Sequence, residues 1–198
     1  MNDFLSALTN AVFVIIGALS ATAGTYFLKS MDTKKAARYL AIRVVCIFDK
    51  YLGACFAVVE DDGLSCGQRT PEGCLEPQVK SPGAPVFPND VDWKSIDHDL
   101  MYKILSFPSN VEAADRDIAF TWDVVASPPD YEEYFEERAF QYADLGLQAI
   151  DLANDIRNAY NIPQIKYGKW DPASELQEKR RKIKEARAHR RDVVPWDT

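Results

Sequence analysis

The stretch from Lys34 to Glu60 reads KKAARYLAIRVVCIFDKYLGACFAVVE. Ala37, Leu40, Val44, Ile47, Tyr51, Ala54 and Val58 recur in a three-four rhythm that places them on one face of an α-helix. A second row, Val45, Phe48, Leu52, Cys55 and Val59, widens that face. So wide an apolar stripe must be covered by other elements, which makes this helix the centre of a core. Asp32-Thr33 can cap it, and Asp61-Asp62-Gly63 stops it.

The same logic extends toward the C-terminus. Asp92 to Leu105 predicts a short helix with Ile96, Leu100 and Ile104 on its apolar face, and Pro108 ends it or starts the next. Val111, Ala114, Ile118 and Val125, with Trp122 between them, predict a further helix that stops at Ser127-Pro128-Pro129. Tyr131 to Tyr160 predicts the longest one, with a near-heptad stripe of Phe135, Tyr142, Leu145, Ala149, Leu152 and Ile156. Pro128-Pro129-Asp130-Tyr131 spells a PPxY string, read here as a helix stop and restart. No segment alternates with the period of a strand. Residues 61–91 break the pattern with five prolines and four glycines, and predict a long crossover packed along the bundle, with a binding loop as the alternative.

Composition narrows the class. At 198 residues, 47% hydrophobic and 12% aromatic, the chain has material for a core, which excludes a wholly disordered polymer and a disulfide-stapled mini-protein. Nine scattered glycines exclude collagen. A net charge of −7 argues against a surface built for nucleic acid. The charge is unevenly distributed: residues 175–192 hold eight Lys or Arg against four Asp or Glu, so this stretch is +4 and the rest of the chain −11.

The mean hydropathy of −0.26 hides an apolar start. No charge occurs between Asp3 and Lys29, and Phe4 to Leu28 would be about 37 Å long as a helix. That is enough for a membrane anchor. Lys29, Lys34, Lys35, Arg38 and Arg43 follow it, which by the positive-inside rule leaves the bulk of the chain in the cytoplasm, at an inner or plasma membrane. Ala21-Thr22-Ala23 has the form of a processing site, so an exported protein cleaved before Gly24 is the competing expectation. A buried helix is the third. Gly17, Ala21 and Gly24 offer a small-residue face for a homo-oligomer.

Residues that could carry chemistry are sparse. Cys46 and Cys55 read as small core residues. Cys66 and Cys74 lie in the crossover without metal-knuckle spacing, free in a reducing compartment and able to pair in an oxidising one. His98 sits in Asp97-His98-Asp99, near Asp92, Asp115 and Asp117, the one place where a metal- or carboxylate-dependent enzyme could be built. Neighbouring helix positions point about 100° apart, which weakens that cluster. Glu137, Gln141, Asp144, Gln148, Asp151 and Asp155 form a polar strip opposite much of the apolar stripe, either plain solvent face or a docking strip for a basic partner such as this chain's own tail. The basic tail itself suggests a solvated helix, anionic lipid, or weak coiled-coil pairing through Leu176 and Ile183; nucleic acid is poorly supported.

The sequence thus predicts an all-α chain. Residues 1–30 are a single transmembrane helix, 31–163 an antiparallel bundle of about four helices with its crossover at 61–91, and 164–198 a charged helical tail too polar to join a core. The expected function is a membrane-anchored, non-enzymatic interaction or scaffold protein with a protein partner. No catalytic, cofactor-binding or metal-ligating residue is assigned.

Overall fold

The computed structural model describes the backbone of residues 2–193 and the side chains of 24–190, in both cases apart from residue 169. Four α-helices carry the fold: α1 (Asn2–Val59), α2 (His98–Phe120), α3 (Glu132–Tyr160) and α4 (Pro172–Val193). A 3-10 turn (Trp93–Ser95) precedes α2, and one π-helical turn (Thr121–Val125) follows it. The described residues contain no strand, only an isolated bridge between Ser65 and Gln68.

The second half of α1 and the whole of α3 are the central pair, and α2 and α4 each pack on α3. The predicted stripe of α1 is the core: Leu40, Val44, Phe48, Cys55 and Val58 are buried, as are Tyr142, Leu145, Ala149 and Ile156 of α3. Phe107 of α2 meets Phe48 and Tyr51 edge-on, with ring centroids 5.2 and 5.3 Å away.

The structure corrects the membrane architecture. Among the described residues no helix is long and apolar enough to cross a membrane. The helix does not end after Leu28; α1 runs unbroken through Ser30-Met31-Asp32-Thr33, which holds neither Gly nor Pro. Lys29, Asp32, Lys34, Lys35 and Arg38 follow within the same rod, which continues past Leu28 as a charged and then core-forming helix. The single-pass anchor of Phe4 to Leu28 and the inner- or plasma-membrane address drawn from it are therefore set aside. The side chains of residues 4–23 in that stretch, the Ala21-Thr22-Ala23 signal and the small residues Gly17 and Ala21 lie outside the described side chains.

Pro108 does not separate two helices. It lies inside α2, where it lacks an N–H to return to the Ile104 carbonyl. That defect costs about 3 kcal/mol in an isolated helix. Here Ile104, Phe107 and Val111 on either side of it are buried, and their packing carries the helix through.

Residues 61–91 are an ordered crossover, pinned by one buried ion pair. Arg138 Nη1 donates to Asp61 Oδ2 at 2.7 Å, and the two side chains are 2% and 1% exposed. Asp61 also accepts from the amides of Gly63, Gln78 and Val79. The other two guanidinium nitrogens of Arg138 donate to Ser81 Oγ and the Val79 carbonyl. Val79, Ala84, Phe87 and Val91 then lie against the core.

The basic tail is corrected as well. It is not too polar to join the core: Leu176 is fully buried and Ile183 nearly so. Gly146 of α3 makes this possible, because a Cβ there would stand 2.7 Å from Leu176 Cδ1. Arg180 pairs with Asp144, Arg187 with Glu136 and Glu137, and Arg190 with Glu136. Arg187 also lies 4.7 Å from the centre of the Phe140 ring. Of the strip on α3, Glu137 and Asp144 are met by the chain's own tail, while Gln141, Gln148 and Asp155 bond to Asp117, Asn110 and Lys103 of α2; the anionic-lipid partner expected for these arginines is dropped.

Burial pushes the Asp61 carboxyl up, but Arg138 and the amides of Val79 and Gly63 outweigh it and hold it below the usual carboxylate range. Its stabilisation is then fully present above an unfolded value of about 4 and is lost as pH falls through the lower folded value. Arg138→Ala, which strands Asp61, should cost about 3–5 kcal/mol in urea unfolding at neutral pH, with the gap to the parent closing in acid. Raising salt to about 1 M cuts the screening length to about 3 Å and should speed amide exchange in residues 180–190 while α3 stays protected. Unchanged exchange would assign the docking of α4 to Leu176 and Ile183 alone.

Candidate functional site

The residues singled out by sequence are not brought together. Asp92 caps the 3-10 turn by accepting from the Lys94 amide, and Asp97 caps α2 by accepting from the Leu100 amide. His98 is therefore the first residue of α2, exposed, in a helix start that consumes its acidic neighbours. Asp115 accepts a hydrogen bond from Tyr142 Oη at 2.8 Å. Among the described residues no cluster of His, Cys, Asp or Glu is placed to hold a metal ion, so the metal-dependent reading of His98 is set aside.

All four cysteines are free, Cys66 and Cys74 included. Cys46 is exposed, contrary to expectation; Cys55 is buried. Burial pushes the Cys55 thiol up to about 12, against a smaller opposing pull from Tyr51, which leaves it inert as a nucleophile.

The structure instead builds a site where α1, α3 and the start of α4 meet. Asn161, in the left-handed region at φ 52°, ends α3, and the Ile162 amide returns to the Arg157 carbonyl at 3.0 Å. The chain then crosses as a strap, turns at Gly168 with φ 70°, and enters α4 at Asp171-Pro172. Trp170 holds the strap down through edge contacts with Phe56 of α1 and Tyr167, at 5.0 and 5.5 Å. Asp171 accepts from the Ala173 amide and Ser174 Oγ; the Ser174 bond, against slight burial, keeps its carboxyl below the usual range and therefore ionised.

Beneath the strap lies a cavity of about 210 Å³, more enclosed than three larger clefts elsewhere on the surface. Phe48, Leu52 and Ile150 form its apolar wall; Asp49, Arg157 and Asp171 are its charged lining. Arg157 is 5% exposed, and its Nη2 donates to both oxygens of Asp49 at 2.7 and 2.6 Å. Its Nε–H is buried and has no acceptor. An unmet donor on a buried guanidinium is expensive. Burial raises Tyr167 at the rim, with Asp49 adding to the effect and Arg157 opposing it.

No family model, curated protein or solved structure matches this chain. The site is accordingly read from its own chemistry. The lining supplies Asp49, Asp171, Arg157, Asn154, Gln164 and Tyr167 as its polar groups.

Sequence reasoning overlooked Asp49 and Arg157, although both left a trace. Asp49 stands directly after Phe48 in the widest apolar stripe, and Arg157 directly after Ile156 at the end of the heptad rhythm. Charged residues flanking a core stripe invite the question of what they pair with across it. Removing Arg157 as Arg157→Ala should strand Asp49, itself 22% exposed, and cost roughly 2–4 kcal/mol in urea unfolding. The exposed Lys166→Ala in the strap, as control, should stay within about 0.5 kcal/mol of the parent.

Proposed function

We propose that this chain is a binding protein for a small polar ligand, held between α1, α3 and the strap that leads into α4. One observation carries the reading: an enclosed cavity is lined by the buried Arg157–Asp49 pair on one hand and by Phe48, Leu52 and Ile150 on the other. Binding pockets combine apolar walls with a few convergent polar groups in this way.

The surroundings suit such a role. Ala149 and Ala153 leave the floor open on α3, while Phe48 and Leu52 are fixed by core packing on α1. The strap is anchored at one end by the αL turn at Asn161 and at the other by the buried Pro172, with Trp170 on Phe56 between them. The floor is therefore rigid and the cover is a short loop, which lets a ligand enter without unfolding the bundle.

The test is a thermal-shift screen of the full chain against small polar metabolites, run beside two variants that fill the cavity, Ala153→Leu and Ala173→Leu. Ligands that raise the melting temperature of the parent should do nothing to whichever filled variant folds. Hits that act equally on both proteins would place binding elsewhere. A screen without hits, with a filled variant more stable than the parent, would show a packing void closed by water and overturn the reading.

A further inference from the structure

We infer that the cleft at the C-terminal end of α2 is a second binding site, for a quaternary ammonium group held in the corner between the Trp122 and Tyr134 rings. It stands apart from the pocket under the strap and shares no lining residue with it.

The backbone builds the corner. α2 closes in the π-helical turn Thr121–Val125, which carries both Trp122 and Asp123. Single π-turns are rare and frequent at functional sites. Tyr131 follows in the left-handed region at φ 50°, a conformation uncommon for a bulky residue. Its ring stacks on Trp122, with centroids 4.7 Å and planes 25° apart. Tyr134 stands across Trp122 at 4.8 Å and 71°. Trp122 and Tyr134 line a cleft of about 450 Å³, and Tyr131 does not. Tyr131 therefore backs the indole and fixes its orientation, while Tyr134 forms the second wall. Two rings set at so wide an angle offer a cation two π-systems at once.

Charge decides what enters the corner. The lining contributes three carboxylates, Glu76, Asp115 and Asp123, and no basic group. None of the three takes part in an ion pair among the described residues, and Asp115 accepts from the neutral Tyr142 hydroxyl. These carboxylates do not converge. Asp115 and Asp123 are eight residues apart, about 12 Å along the helix, and Glu76 comes from the crossover. A primary ammonium has three N–H donors and needs acceptors close together to replace its water. A quaternary ammonium donates no hydrogen bond and spreads its charge over its alkyl groups, so aromatic faces in a diffuse negative field suit it. Ile118, Ala119 and Pro77 complete the lining with apolar contact for its methyl groups. A neutral hydrocarbon would leave the carboxylates unanswered, and an anion would be repelled by them.

Titration of the full chain, followed by NMR through the indole N–H signals, tests this with three probes: choline, 3,3-dimethylbutan-1-ol (the same shape without the charge) and ethanolamine (the charge without the methyl groups). The Trp122 signal is assigned by its loss in Trp122→Phe. Choline should shift that signal and bind about tenfold more tightly than either of the other two. Asp123→Asn, at an exposed position, should weaken choline and leave 3,3-dimethylbutan-1-ol unchanged. If 3,3-dimethylbutan-1-ol binds as tightly as choline, the corner is a plain apolar surface and the cation is overturned. If ethanolamine does, the carboxylates act as direct acceptors and the quaternary group is overturned. If choline shifts only the Trp170 indole, which belongs to the strap, binding lies in the first pocket and the second site is overturned. It is overturned equally if no probe moves the Trp122 signal.

Discussion

The fold depends on one buried contact between residues 77 positions apart, Asp61 at the end of α1 and Arg138 on α3. A pair so thoroughly removed from water gains little from attraction alone, because desolvating both ions costs as much as their attraction returns. It stands because the other bonds of both ions are made on the crossover: three loop amides on Asp61, a hydroxyl and a carbonyl on Arg138. The pair therefore acts as a clip that fixes where the chain leaves α1 and returns. With the clip closed, Phe87 reaches Phe48 at 5.6 Å and Trp93, and α2 is delivered to the correct side of α3.

Charge organises the outer layer by a different rule. The chain concentrates its positive surplus in α4 and meets it with Glu136, Glu137 and Asp144 on α3. Single exposed ion pairs contribute about 0–1 kcal/mol each, so they set orientation more than stability. The apolar anchor is Leu176, seated against Gly146 where any larger residue would collide. Docking thus has a fixed point at the start of α4 and a salt-sensitive seam along its length.

The pocket follows from the same run of small residues. Gly146 is filled by Leu176, but Ala149 and Ala153, one and two turns further on, have only the strap above them. Where α3 and α4 are no longer in contact, space remains, and Arg157 and Asp49 meet across its wall. The ion pair that holds α1 to the end of α3 is also part of the charged lining of the cavity.

Much of the fold was legible in the sequence. The stripes of α1 and α3 are short-range patterns, and the helical period exposes them directly. The acidic strip and the basic tail were visible as opposites. Three things were not. The apolar start suggested a span, yet hydropathy in one dimension does not say whether a helix ends at Leu28 or continues into a charged, core-forming rod. Pro108 suggested a break, which burial of Phe107 and Val111 overrides. Asp97, His98 and Asp99 suggested chemistry, where the backbone simply begins a helix. The site itself depends on Asp49 meeting Arg157 across 108 residues, and on a gap left by alanines whose neighbours are known only once the helices are packed. By itself, then, the sequence determined which segments are helical and which faces seek cover, because those are properties of neighbours three and four residues apart. Only the tertiary structure decided which charges are buried together and where space is left, because both depend on distance between helices, which no local pattern encodes.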